Sequence, residues 1–358
     1  MTLEDTSRCK VCCMPPTRPD TPFDGGICGA CLNAEERRHI DWPARADALC
    51  QLLDRHHGEC AVASSGGKDS HFIALTLKKL GAQVTAITAT TCAPTPIGIA
   101  NIQNLNKYVK TVQVSQKRSV RARLNKIGLE TVGDISWPEH ASIFSVPVKT
   151  AADLDLPLLF YGECPQNAYG GPPGTVDEFR MGYGWATEFG GFLGLRPSDL
   201  SGPFGSVDME PYEPSRAAFE KVEVHFLGQY LPWDPQANGK MAMAAGMHRA
   251  TPCAGNVWNT ENLDNFQTGL HDWFMYLKYG YGRGCMQLSI DIRNGHMSRE
   301  PALSWVRDFD GIFPEFYMGQ RFDKTLDEIG MRPMELLRIA ERFNTQGPEA
   351  LKTLRGLL

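Results

Sequence analysis

The stretch Ser65-Gly66-Gly67-Lys68-Asp69-Ser70 constrains this chain more than any other part of it. It lies between a short apolar run, Cys60–Ser64, and a segment, His71–Leu80, whose Ile73, Leu77 and Leu80 recur at helical spacing, so it reads as the turn from a strand into a helix. Such a turn aims backbone N–H groups and the helix dipole at one spot, which makes an anion site. Gly66 and Gly67 permit close approach of phosphate oxygens, Ser65 and Ser70 offer hydroxyls, and Lys68 brings positive charge. The Walker pattern is not met, because the four-residue gap before Gly-Lys is missing and Asp69 follows the lysine. The chain therefore carries a phosphate loop of another kind.

The surroundings fit that placement. Gln83–Thr88, Val109–Val114 and Leu156–Tyr161 read as further strands, separated by helical patterns over Ile99–Tyr108, Ser119–Leu129 and Ile143–Ala152, the last despite Pro147. Strands alternating with helices predict an α/β fold with a parallel sheet covered on both faces and ligands beyond the strands' C-terminal ends. Residues 165–215 are rich in Gly, Pro and aromatics without periodicity, and such a length predicts a functional, substrate-covering insertion or a partly helical segment. The remainder turns helical through Phe266–Tyr281, Arg299–Phe309 and Lys324–Phe343. Three units are expected: 1–39, 40–235 and 236–358, the first joined to the second through an amphipathic helix from Ile40 to Arg55.

The first unit is too poor in aliphatics to bury a core, yet it carries Cys9-x2-Cys12 and Cys28-x2-Cys31 separated by fifteen residues. Paired knuckles at that spacing close a tetrahedral four-thiolate zinc site, whose binding free energy becomes folding free energy; an iron–sulfur cluster or free thiols are the alternatives. Cys13 reads as a bystander. The N-terminal MTLEDTSRCK has neither the basic start nor the apolar core of a secretion signal, and no run of about 18 apolar residues exists, so a cytoplasmic location without a membrane span is expected. A net charge of −5 and a sequence pI near 6 disfavour a nucleic-acid partner.

The loop resembles the Ser-Gly-Gly-x-Asp-Ser signature of the PP-loop ATP pyrophosphatases, an adenine nucleotide alpha-hydrolase-like group that includes argininosuccinate, GMP and NAD synthetases and tRNA thiolases. That resemblance implies ATP with Mg²⁺ as cofactors. Ser65, Gly66, Gly67, Asp69 and Ser70 would contact the phosphates, Asp69 would help hold Mg²⁺, and AMP would be transferred to a substrate oxygen. A narrower resemblance, to the N-acetyl sugar amidotransferases of surface-polysaccharide biosynthesis (the lipopolysaccharide and pseudaminic-acid type), spans nearly the whole chain. It rests on Ile40-Asp41-Trp42-x-x-Arg45, the phosphate loop, Gly133-Asp134-x-x-Trp137-Pro138 and Tyr161-Gly162-Glu163-x-Pro165-Gln166-Asn167-x-Tyr169-Gly170-Gly171. Phe226-Leu227-Gly228-x-Tyr230-x-Pro232-Trp233-Asp234, Lys278-Tyr279-Gly280-Tyr281-Gly282-Arg283 and Ile290-Asp291-Ile292-Arg293-x-Gly295-x-x-x-Arg299-Glu300 extend it.

This resemblance implies conversion of an acetamido group, on a nucleotide-linked or nonulosonic sugar, into an acetamidino group. Adenylation of the amide oxygen makes AMP the leaving group and ammonia the nucleophile. A class I glutaminase partner is expected to supply the ammonia, since no glutaminase domain is recognisable here. Lys68, Asp69 and Glu163 are the candidate catalytic residues. Asn167 and Tyr169, just beyond the strand Leu156–Tyr161, are candidates for the substrate, as are Arg283 and Arg293, with Arg299 able to grip the same anions. His71 at the helix start caps or packs. Where the family carries Gly-Glu-Asn-Pro, this chain has Cys164. Cys92, Cys164 and Cys285 either converge on a [4Fe–4S] cluster, which would suit a PP-loop sulfurtransferase acting on tRNA or a small molecule, or are small buried hydrophobes.

Overall fold

The computed structural model describes residues 8–18, 21–170, 179–200, 202 and 204–358, without the side chains of Gln166 and Asn167. The substrate candidate Asn167 and part of the Gly/Pro/aromatic stretch therefore lie outside the described residues.

Five parallel strands form the central sheet: β1 (Glu59–Ala63), β2 (Gln83–Ala89), β3 (Lys110–Val114), β4 (Leu158–Tyr161) and β5 (Glu223–Phe226), in the spatial order β3-β2-β1-β4-β5. This is α/β architecture compatible with a Rossmann-like fold. Side chains alternate between two buried faces. Cys60, Val62, Leu158 and Phe160 join Leu49, Leu53, Ile73 and Leu77 on one side, whereas Ala61, Leu159, Tyr161 and Phe226 join Val148 and Ala151 on the other. Full burial of each large aliphatic or aromatic side chain contributes about 1.5–3 kcal/mol, so burial on both faces stabilises strands only four or five residues long.

The sequence reading of the strands holds to within a few residues. β5 has no counterpart in it, because a run of four residues with Glu223 and His225 in it shows neither an apolar stretch nor a clear alternation. The helix with Pro147 is longer than expected, Trp137–Asp153. A proline cannot donate to the carbonyl four residues back. The Tyr161 hydroxyl donates to that carbonyl instead, that of Ile143, at 2.7 Å, so the helix passes through the proline with its acceptor satisfied. The expected helix Lys324–Phe343 is two, Phe322–Glu328 and Pro333–Phe343, broken where Gly330 adopts a left-handed backbone and Pro333 starts the second. A helix over Arg283–Arg293, unread in the sequence, follows Thr268–Tyr279. Much of the Gly/Pro/aromatic stretch is packed core: Trp185 lies in the cluster beneath the sheet, and Phe192, Phe204 and Tyr212 surround the fully buried Trp137.

The strand order places a topological switch point between β1 and β4, whose following loops depart to opposite sides and leave a crevice at their C-terminal ends. Helices Lys68–Lys79, Pro96–Leu105, Trp137–Asp153, Thr268–Tyr279 and Arg283–Arg293 all begin at the cavity over that edge, through Ser70, Gly98, His140, His271 and Arg283. Each contributes the positive end of its dipole. The last of them is capped by Asp310, which accepts from the N–H of Gly282 at 2.6 Å and of Cys285 at 3.3 Å. Gly282 has no room for a side chain, since a Cβ there would lie 2.7 Å from the Asp310 carboxylate.

Burial pushes the Asp310 carboxyl up to about 6, the two backbone donors notwithstanding. Because its folded value exceeds the roughly 3.9 of an unfolded chain, the folded state binds the extra proton between these pH values. Stability is then lost as pH rises through about 6. Asp310→Asn keeps an acceptor and removes the charge, so its stability relative to wild type should improve between pH 4 and pH 7 in urea unfolding. A difference independent of pH would show that Asp310 titrates normally.

Candidate functional site

The loop after β1 is built from its own residues. The Ser65 N–H donates to the Ser70 hydroxyl at 3.0 Å and the Gly66 N–H to the Ser64 hydroxyl at 3.1 Å. Gly66 has φ +78°, and a Cβ on it would come within 2.8 Å of the Ile102 backbone nitrogen, so both conformation and space require glycine. His71 fixes the loop from below. Its Nδ1–H donates to the Gly67 carbonyl at 3.0 Å and its Nε2 accepts from the Asn104 amide at 3.0 Å, an arrangement that requires the neutral ring. Burial lowers its pKa accordingly, so His71 packs and orients.

Lys68 is buried, 2.7 Å from Asp69 and 3.5 Å from Glu261, with its ammonium 5.4 Å from the centre of the Trp258 ring. Burial opposes its charge, but Asp69 and Glu261 outweigh burial and hold its pKa above the ordinary lysine value. The other oxygen of Asp69 accepts from Asn238 at 3.0 Å. Glu261 also faces Arg283 at 3.7 Å, and Arg283 donates twice to Asp272, at 2.9 and 3.1 Å. Glu163 enters from the loop after β4, where Tyr169 donates to it at 3.2 Å. Its pKa is raised, by burial first and the Asp69 carboxylate second, with Lys68 acting the other way. The Glu261 oxygen that faces Lys68 is buried and makes no hydrogen bond within normal distance, so the 3.5 Å ion pair is its partner.

Two cavities meet at these groups. The larger, about 640 Å³, runs from Ser65 and Ser70 past the ends of β1 and β2 to Glu139, His140 and His271. The second, about 370 Å³, lies between Trp42, Trp233 and Trp258, with Arg37 and Arg293 in its wall. Asp69 and Glu163 line both. Arg37 donates to the Gln229 side chain at 2.7 Å and the Gly228 carbonyl at 2.5 Å, both neutral acceptors, while stacking on Trp42. Burial, then Arg45, lowers its pKa to about 10. Arg293 donates to the Ala168 carbonyl at 2.8 Å and keeps one buried nitrogen without an acceptor.

The structure thus brings together Ser65, Lys68, Asp69, Ser70, Glu163, Tyr169 and Arg283. It directs Arg299 elsewhere: its guanidinium donates to the carbonyls of Cys9 and Cys12 at 3.0 and 3.1 Å. The three further cysteines do not converge. Cys285 packs beside Cys13 and its carbonyl, Cys164 lies in the cluster beneath the sheet, and Cys92 sits between Asn125 and Gln267. Glu261, Asn238 and Arg37 went unread because their partners are far along the chain, and Asp272 because a single acid within a helical segment carries no signal of its own. Only tertiary contact marks them.

The four knuckle cysteines have their sulfurs within 4.8 Å of one another, Cys9 to Cys31 at 3.9 Å and Cys12 to Cys28 at 3.6 Å. A tetrahedron with Zn–S bonds of about 2.3 Å has edges of about 3.8 Å, so the spacing fits zinc. The N–H groups of Val11 and Cys28 point at the Cys9 sulfur at 3.4 and 3.3 Å, donors that orient and stabilise a ligating thiolate. The module is tied to the site. Arg18 donates to the Tyr169 carbonyl at 3.3 Å, and Cys13 donates to Ser289 on the Arg283–Arg293 helix.

Residues 260–348 match the family model described as "LPS biosynthesis protein WbpG-like, C-terminal domain", a likeness that points to lipopolysaccharide biosynthesis. The matched span carries Glu261, Asp272, Arg283, Arg293 and Arg299. No curated protein matches the chain. Among the described residues no helix is long and apolar enough to cross a membrane.

Zinc bound by four cysteines supplies on the order of 10 kcal/mol of folding free energy. Cys9→Ser is therefore expected to lose the metal and to leave residues 8–36 open to proteolysis, with Tyr169 released. Full zinc content and wild-type protease resistance in this variant would remove the structural-metal assignment.

Proposed function

We propose that the chain is an ATP-dependent, AMP-forming amidotransferase that converts the acetamido group of an N-acetyl sugar into an acetamidino group in lipopolysaccharide biosynthesis. The observation that carries this reading is the pair of cavities meeting at Asp69 and Glu163, one over a phosphate loop at the switch point of the sheet, the other lined by aromatic rings and arginines. A reaction that joins a nucleotide to a second substrate needs two chambers with one shared wall. The WbpG-like match supplies the pathway.

ATP lies in the larger cavity with its β- and γ-phosphates at the Ser65 and Ser70 hydroxyls, beside the glycine turn and the helix dipole. Asp69 and Glu163 would hold the Mg²⁺ that travels with it, which neutralises charge on the departing pyrophosphate. Lys68, kept charged by its carboxylates, stabilises that leaving group. The sugar occupies the smaller cavity. Trp42, Trp233 and Trp258 face its ring, Arg37 and Arg293 take an anionic substituent, and the acetamido group reaches the shared wall. The amide oxygen attacks the α-phosphorus and pyrophosphate leaves with the bridging electron pair. Ammonia then adds to the imidate carbon, a proton is lost, and AMP departs with the former amide oxygen. The ammonia comes from a class I glutaminase partner. Sulfur transfer through a three-cysteine cluster gains no support from the separate surroundings of Cys92, Cys164 and Cys285.

With an acetamido sugar labelled by ¹⁸O in the amide, ATP and ammonium, the label is expected in AMP and one AMP should form per amidine. Label retained in the sugar, or ADP in place of AMP, would sink the reading. Asp69→Ala should lower AMP release at least ~100-fold, the scale of losing one preorganised charge-stabilising group. Arg37→Ala should instead raise KM for the sugar ~10-fold or more with kcat little changed, the signature of lost uniform binding.

A further inference from the structure

At the end of the larger cavity remote from the phosphate loop stands a group that the proposed reaction does not use. We infer that Asp134, His140 and His271 form a second metal site, for a first-row divalent transition cation such as Zn²⁺ or Mn²⁺. The inference is independent of the amidotransferase reading.

Three elements bring the ligands together. Asp134 sits in the turn between helices Arg118–Val132 and Trp137–Asp153, His140 in the first turns of the second of these, and His271 in the first turn of Thr268–Tyr279. One ligand atom from each lies within 4.8 Å of the other two. The His271 Nδ1 is 2.7 Å from one Asp134 oxygen and the His140 Nδ1 is 3.1 Å from the other, so both imidazoles face the same carboxylate. Two imidazoles and a carboxylate are the donor set of open transition-metal sites, whereas Mg²⁺ and Ca²⁺ prefer oxygen throughout.

The supporting contacts are those of a held site. The Ser136 N–H fixes one Asp134 oxygen at 2.8 Å, and the carboxylate is buried at 2% exposure. On its far side, the His271 Nε2 is 3.9 Å from Asp272, itself held by Arg283. That carboxylate adds negative charge beside the site, which favours a cation there. His140 and His271 line the cavity while Asp134 lies behind them, so a cation held here has protein on one side and open positions toward the cavity for water or an oxygen anion of its occupant. The two helix N-termini oppose a cation, an effect smaller than the attraction of the buried Asp134 carboxylate.

The full-length protein, equilibrated with Zn²⁺ and freed of excess by gel filtration, should hold two equivalents, one per site. His271→Gln and His140→Ala should hold one. Co²⁺ replacement keeps the folding question separate, because the thiolate charge-transfer band reports the four-cysteine site alone: in His271→Gln that band should persist while the weaker visible absorption of the nitrogen–oxygen site disappears. A single equivalent in the wild type, or two retained in His271→Gln with the thiolate band intact, would overturn the inference and leave Asp134 a carboxylate shared by two imidazole N–H donors.

Discussion

A lysine held out of water organises this molecule. Lys68 comes from the first turn after β1, Glu261 from a loop some two hundred residues further on, and each would be an uncompensated buried charge without the other and Asp69. Removing one partner of such a group costs about 3–5 kcal/mol, a large part of a typical domain's stability. The dependence extends outward, because Glu261 also meets Arg283, Arg283 binds Asp272, and Asp272 lies beside His271. Alternating charges thus run from the phosphate loop along the cavity wall. A side chain moved anywhere in the series leaves its neighbour facing a low dielectric alone, so the series holds the C-terminal helices in one place against the sheet.

The cysteine module works on the other side of the same site by a different means. It has few apolar side chains of its own; Met14, Ala30 and the cysteines share a core with Met286, Leu288 and Leu303 of the C-terminal helices, and directed polar contacts add to this: Arg299 to the carbonyls of Cys9 and Cys12, Arg18 to that of Tyr169, Cys13 to Ser289. Such contacts have direction but little net energy, roughly 0.5–1.5 kcal/mol each. They position Tyr169, and through it Glu163, only if the module is itself rigid. Four sulfurs at tetrahedral spacing supply that rigidity where a core cannot.

What the sequence disclosed follows from how local each signal is. The phosphate loop and the knuckles are legible because their chemistry is confined to a few consecutive residues at fixed spacing. Strands β1 and β4 are legible because burial on both faces leaves short apolar runs, and β2 and β3 because β-branched residues recur along them between helical segments. β5 escaped because Glu223 and His225 interrupt four residues that have no periodicity to lose. Arg299 was ambiguous for a related reason: a guanidinium that seats a carbonyl pair and one that seats a phosphate look alike in sequence, and only the folded position of Cys9 and Cys12 separates them. Glu261, Asn238 and Arg37 owe their importance to partners more than 150 residues away, which no local pattern encodes.

The arrangement at the shared wall also sets a chemical condition. Burial raises the cost of ionising Glu163, and the nearby Asp69 carboxylate raises it further. Lys68 offsets only part of this, since it is already engaged by Asp69 and Glu261. The wall is therefore short of positive charge when both carboxylates are ionised. The cavity that ends on this wall, by contrast, receives the positive ends of five helices. An anion is favoured beside the phosphate loop, where the helix Lys68–Lys79 begins, and a cation at the boundary with the second chamber. A polyphosphate carrying a divalent ion meets both requirements at once, and neither species alone does.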